Sequence, residues 1–143
     1  MEKDFIKPLN LQKGFMGKKK VVLVDTDIFI KVFRGDTKHK LTLEKPEGRI
    51  GISIISVLEL FQCINSLKRK YELDKQLKAY HIINIDSKIS ETSFLICKKY
   101  LPKKKILPPD CLIASTALVY NLDLYTDNKG DFDFIDGITF YKN

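Results

Sequence analysis

The amino-acid sequence predicts an α/β protein, a parallel sheet with helices packed on both faces. Two observations carry this expectation. Short β-branched apolar runs alternate with longer segments whose apolar residues recur at helical spacing. The first of these runs, Val21 to Val24, is apolar without interruption, as in a strand buried on both faces, and it ends in Asp25. Ligands of open α/β sheets gather at the carboxyl ends of the strands. Asp25 therefore marks the edge at which function is to be sought.

The elements follow in order. Val21–Asp25 is the first strand. Thr26 is a good N-cap, so a helix is expected from about Thr26 to Phe33, stopping at Gly35. Residues 36–47 suit a shorter helix or irregular turn that begins near Asp36 or Thr37 and is ended by Pro46 and Gly48. Arg49–Ile55 is the second strand. A helix starting at Ser56 is apolar at Val57, Leu60, Phe61, Ile64 and Leu67, and Asp74–Tyr80 adds a further turn or two. His81–Ile85 is the third strand. Asp86 or Ser87 then caps a helix through about Leu101, with Ile89, Phe94, Leu95 and Cys97 facing inward. Residues 102–109 form a loop, Pro109 suits a first helical turn, and Asp110–Tyr120 is a helix closed by Asn121. Leu122–Thr126 is the fourth strand, 127–137 is polar and turn-prone, and Ile138–Tyr141 completes a sheet of about five strands.

Residues 1–20 read as a separate, loosely ordered extension ahead of one domain at 21–143. They hold Pro8, Gly14, Gly17 and the run Lys18–Lys20, with no sustained period, and Met16 is a second candidate start. Their apolar residues, Phe5, Ile6, Leu9, Leu11 and Phe15, are of a kind that docks on a partner.

Hydrophobic residues at 44% and charged residues at 30% of 143 positions describe a globular chain with enough length for a real core. No apolar run approaches the roughly 20 residues needed to span a bilayer, and no signal-peptide core opens the chain, so a cytoplasmic location is expected. Cys63, Cys97 and Cys111 are odd in number and widely spaced, which suits neither a disulfide framework nor a zinc site; each lies in an apolar helical stretch and reads as a small core residue. His39 and His81 have no partner at ligand spacing. A net charge of +7 favours a polyanionic partner through a general pull on phosphates.

Four acids sit where helices or loops leave a strand, and each also has a purely structural reading. Asp25 turns the chain into a helix, although Thr26 can do that capping without it. Glu59 fits a capping box with Ser56, and equally lies in the first helical turn after the second strand, beside Asp25 if the two strands are neighbours. Asp110 opens a helix behind Pro108 and Pro109, where the dipole favours a carboxylate. Asp131 lies in the loop after the fourth strand. Helix N-termini of such a sheet share one edge, so the four carboxylates can converge. Close carboxylates repel unless a cation neutralises them. Mg²⁺ or Mn²⁺ suits an all-oxygen ligand set, and such ions support in-line attack of water on a phosphate.

Together these segments resemble a known family. VLVDTDIFI at 22–30, ISVLEL at 55–60, PDCLIASTAL at 109–118 and TDNKGDF at 126–132 resemble, in order and spacing, the motifs of PIN-domain ribonucleases, in particular the small VapC-type toxins of toxin–antitoxin pairs. The resemblance covers residues 20–143 and implies a three-layer PIN-like fold with a five-stranded parallel sheet flanked by helices. It implies Asp25, Glu59, Asp110 and Asp131 as catalytic ligands for Mg²⁺ or Mn²⁺, with Thr26, Asp27 and Asn128 as supporting polar residues. It implies an RNA substrate, a transfer RNA or a ribosomal RNA loop, together with a homodimer and an antitoxin partner whose tail covers the acidic site. Asp27 stands where the family often has Asn or Ser, and Asp127, Asp133 and Asp136 match no fixed family position. Lys103–Lys105 and Lys68-Arg69-Lys70 are candidate phosphate contacts, or ordinary solvated faces.

Two other classes compete. Asp25-Thr26-Asp27 after an apolar strand also resembles the nucleophile motif of haloacid-dehalogenase-type phosphatases, with Gly130-Asp131 and Asp136 as a last acidic motif. Against it, that last motif lacks an apolar strand directly before it, and Ile28-Phe29-Ile30 follows Asp27 in place of that family's usual residues. The second competitor is a PIN-like fold used only to bind RNA, which leaves four intact acids without a purpose.

Overall fold

β1 lies between two parallel neighbours, and the fold is built outward from it. The computed structural model describes residues 21–46 and 49–142. The expected extension at 1–20 and Gly48 lie outside the described residues. The strands are β1 (Val22–Val24), β2 (Ile50–Ser53), β3 (His81–Ile83) and β4 (Asp123–Tyr125). They lie in the order β3-β2-β1-β4, all parallel, with Val22 paired to Ile50 on one side and to Asp123 on the other. The chain leaves β1 toward β2 and returns to its other side as β4, so the carboxyl end of β1 is a topological switch point.

Successive residues of a strand face opposite sides, and the core divides accordingly. Leu23, Ile83 and Leu124 pack with Ile89, Ile96, Ile113, Ala114 and Phe132 on one face. Val22, Val24, Ile52, Ile82 and Tyr125 pack with Ile28, Phe29, Val57, Leu60, Leu73 and Leu77 on the other. The helices of the second face are α1 (Thr26–Phe33), α2 (Thr37–Glu44), α3 (Ile54–Gln62) and α4 (Leu67–Leu77). Those of the first are α5 (Ser87–Tyr100) and α6 (Pro108–Val119). This is the expected three-layer arrangement.

Local chemistry sets the ends. α1 has the expected bounds and is followed by Gly35 at φ +97°, a conformation that favours glycine. Asp36 caps α2 by accepting the His39 amide at 3.0 Å. Asn121 ends α6 in the left-handed region at φ 52°.

The structure departs from the sequence expectation at five points. α3 starts two residues early because Ser53, not Ser56, caps it, accepting the Ile55 amide at 3.2 Å. The long helix expected from Ser56 is two helices: the Cys63 and Ile64 amides tighten onto Leu60 and Phe61, and Ser66 then caps α4 through the Arg69 amide at 3.2 Å. In α5 the buried face runs through Ile89 and Ile96, while Phe94 and Leu95 are exposed. Cys63 is exposed rather than part of the core, whereas Cys111 is buried with its Sγ 3.5 Å from that of Cys97. The closing strand is reduced among the described residues to one bridge, Leu124 with Phe140, held by two backbone bonds of 2.9 Å.

Phe132 is fully buried against the α5–α6 face and fixes the segment that follows β4. Replacement of Phe132 by Ala leaves a cavity there and is expected to cost about 3–5 kcal/mol of stability. Urea unfolding followed by circular dichroism measures this, and a loss below about 1 kcal/mol would contradict the packing assigned to that ring.

Candidate active site

The carboxyl edge begins at Asp25, which is only 5% exposed. Its amide donates to the Tyr125 carbonyl at 2.9 Å, which brings the ends of β1 and β4 together. Its Oδ1 accepts the Thr26 amide at 2.8 Å, so Asp25, not Thr26, is the N-cap of α1. Its Oδ2 accepts the Thr126 hydroxyl at 2.8 Å. Capping and function do not exclude each other here, because each carboxylate oxygen has a second lone pair to offer.

Thr26, released from capping, ties β1 to α3. Its Oγ1 lies 2.8 Å from Glu59 Oε1 and 2.8 Å from Ser56 Oγ. An ionised carboxylate can only accept, so Thr26 donates to Glu59 and accepts the Ser56 proton. The capping-box reading of Glu59 fails on two counts: Ser56 lies inside α3 and its hydroxyl points to Thr26. Ser56 is fully buried, and no local signal points to this partner, which is 30 residues away.

Asp27 reaches the loop after β4. Its Oδ2 accepts the Asn128 side-chain amide at 3.0 Å and the Asp127 backbone amide at 3.3 Å, and its Oδ1 accepts the Ile28 amide at 2.8 Å. The Asn128 amide in turn donates to Thr126 Oγ1 at 3.0 Å. Thr126, which went unremarked in the sequence as a side chain, thus links Asp25 to this loop. The loop continues into a short 3-10 turn, Lys129–Asp131, which presents Asp131 at the surface ahead of buried Phe132. Asp110 enters from the opposite layer, in the first turn of α6.

Electrostatics show that these acids sense one another. Burial first, and then Asp27, push the Asp25 carboxyl up to about 7. Burial, then Asp131, Glu59 and Asp27, push Asp110 up to about 6. Acids from α1, α3, α6 and the post-β4 loop thus act on one carboxyl, that of Asp110. Lys103–Lys105 lie on the exposed turn that leads into α6, with Lys104 over the Phe134 ring. Arg69 does not belong to this edge: it donates to the carbonyl of Phe33, at the end of α1 opposite Thr26.

The donor set fits a hard divalent cation, being all carboxylate and hydroxyl oxygen. Among the described residues no three His, Cys, Asp or Glu side chains already stand at ligand spacing. An ion here would complete its shell with water, as Mg²⁺ does when it is held by one or two carboxylates.

Comparison with known proteins gives concordant matches. A family model described as PIN domain matches residues 22–137. Ribonuclease VapC1 of Methanocaldococcus jannaschii is 31% identical over 125 residues, covering 86% of this chain and 87% of that one. A solved toxin–antitoxin complex from Klebsiella pneumoniae contains a chain 32% identical, with a TM-score of 0.66 and coverage of 85% and 99%. The fold is shared with VapBC2 from Rickettsia felis, solved bound to a DNA fragment from its promoter, at 23% identity, TM-score 0.75 and coverage of 84% and 96%.

The raised carboxyls fix a pH dependence. Because the native pKa values of Asp25 and Asp110 lie above the ordinary 3.8, the folded state binds more protons than the unfolded chain between about pH 4 and 7. Stability contributed by these groups is therefore present at low pH and lost as pH rises through that window. In chelator, thermal melting is expected at a lower temperature at pH 8 than at pH 5. Asp25→Asn should recover on the order of 2–4 kcal/mol at pH 8, and Mn²⁺ should raise the wild-type melting temperature there. A variant that melts at the same temperature as wild type at pH 8 in chelator would refute the strained carboxyl.

Proposed function

The chain belongs to the PIN domain family, and from that premise we propose that it is a divalent-metal-dependent endoribonuclease, the toxin of a toxin–antitoxin pair. The observation that carries this reading is the gathering of acids from separate segments at one sheet edge, where burial and Asp27 raise Asp25, and burial with Asp131, Glu59 and Asp27 raises Asp110. Asp25, Glu59, Asp110 and Asp131 would hold the metal, Mg²⁺ or Mn²⁺. When bound, it would activate water and offset the negative charge that builds on a phosphodiester under attack.

The chain's own residues do the rest. Thr126 and the Thr26 amide orient Asp25, and Thr26 orients Glu59. Asp27 and Asn128 hold the loop that carries Asp131. A polyanion approaching this edge needs cations at the rim, and Lys103–Lys105 are proposed as phosphate contacts that position the strand without reading its sequence. The M. jannaschii relative is named a ribonuclease, and the K. pneumoniae chain was solved in a toxin–antitoxin complex. An RNA substrate and a protein antitoxin are carried to this chain on that basis. No helix among the described residues is long and apolar enough to cross a membrane. The phosphatase alternative loses its ground, since its motif lies inside the segment matched as a PIN domain.

Purified protein is expected to cleave single-stranded or structured RNA in Mg²⁺ or Mn²⁺ and to stop in EDTA. Asp25→Asn and Asp110→Asn should abolish cleavage while retaining the native circular dichroism spectrum. Expression without a partner should arrest growth, and expression of either variant should not. Cleavage that persists in chelator, or in both variants, would overturn the proposal.

A further inference from the structure

Beside the acidic edge stands a second charged cluster that the family motifs leave unexplained. Asp127 Oδ2 meets two basic side chains at once: it accepts from Lys31 Nζ of α1 and lies 2.7 Å from His39 Nε2 of α2. On its other side the His39 ring has Nδ1 2.9 Å from Oδ1 of Asp36. That contact is an ion pair without hydrogen-bond alignment, and Nδ1 is buried with no other partner. The ring lies nearly parallel to Tyr125 of β4, 17° between planes. An imidazole wedged between two carboxylates on a tyrosine face has its protonated form selected by both sides. The Asp127 backbone amide meanwhile donates to Asp27, and the next residue, Asn128, donates to Asp27 as well.

Resting on the ribonuclease reading above, we propose that Lys31 and His39 are positioning residues: by clamping Asp127 they set the loop 126–131 against α1 and α2, and so place Asn128 and Asp131 at the site. The clamp has a geometric rationale. Asp131 sits on an exposed 3-10 turn of three residues, whose own hydrogen bonds cannot fix its distance from α1. Buried Phe132 holds one end of the loop and Asp127 holds the other. The charged and titratable groups facing the imidazole are Asp36 from the cap of α2, Asp127 from the loop, Tyr125 from β4, and Lys31 and Asp27 of α1 across Asp127. Asp36, and then Asp127, raise the imidazole above its ordinary 6.5 against the opposing effect of burial. The bridge made by the cationic ring is therefore complete at low pH and is lost as pH rises through that raised value.

Three measurements on the full chain test this. In Asp127→Asn and in His39→Gln, kcat should fall by about tenfold to a hundredfold with KM little changed, and the double variant should be no slower than the worse single one, since both break one link. In Asp36→Asn the α2 cap survives, because Asn caps as well as Asp. There the alkaline fall of kcat and the NMR titration of His39 should move together to lower pH. Hydrogen exchange at the Asn128 and Asp131 amides, protected here by Thr126 Oγ1 and the Asn128 carbonyl at 3.0 Å each, should speed up in Asp127→Asn. Unchanged exchange in that variant, or a His39 titration that ignores Asp36, would overturn the clamp. The exchange and NMR measurements need no nuclease activity, so a wild-type protein that cuts no RNA but shows both effects supports the clamp and removes only the ribonuclease reading.

Discussion

Mutual repulsion among carboxylates at the carboxyl edge of a parallel sheet is the constraint on which the rest of this structure turns. Asp25 is almost wholly buried next to Asp27, and Asp110 feels Asp131, Glu59 and Asp27. Left alone, such groups would protonate or swing apart into water. The sheet prevents the second outcome. Parallel pairing of β1 with both β2 and β4 fixes the ends of three strands side by side, and the residues that leave those ends have little freedom to separate.

Among the described residues, neutral donors rather than cations hold these acids. Asp25 takes an amide and the Thr126 hydroxyl, Glu59 takes the Thr26 hydroxyl, and Asp27 takes two amide groups of the loop. A hydroxyl or amide fixes the direction of a carboxylate while leaving its net charge in place, whereas a lysine would cancel that charge. The buried hydroxyls of Thr26, Ser56 and Thr126 thus orient acids whose charge they leave uncancelled.

Much of this was legible in the sequence where it depended on neighbours in the chain. The apolar run into Asp25, the Thr26–Phe33 helix with Gly35 behind it, the Asp36 and Asp86 caps and the Pro-led α6 follow from local rules. The four acid-bearing segments were recognisable by order and spacing, although no local rule says that Asp110 approaches Asp131. What failed was choice between equivalent local options. Ser53 and Ser56 are both plausible caps, and the decision fell to Thr26, 30 residues from Ser56, which engages the latter's hydroxyl. The α5 register was misjudged because Phe94-Leu95-Ile96 offers three adjacent apolar residues, and contact with α6 selected Ile96. His39 was invisible for the same reason: its partners lie 3 and 88 residues away, and only folding sets an imidazole between them.

The Asp127 cluster sharpens the account of charge. Lys31 and His39 reach the loop that borders the site, and either could have neutralised Asp27, which lies across the Asp127 amide from them. Instead both are consumed by Asp127, and His39 is shared further with Asp36. Two basic side chains set against two carboxylates make one compact unit. Such a unit can tie α1, α2 and the loop together without drawing on the negative charge of the acidic edge. The arrangement separates two tasks that a single lysine at the site would have confounded: mechanical fixation of the loop, assigned to the clamp, and retention of unneutralised carboxylates, assigned to the strand ends.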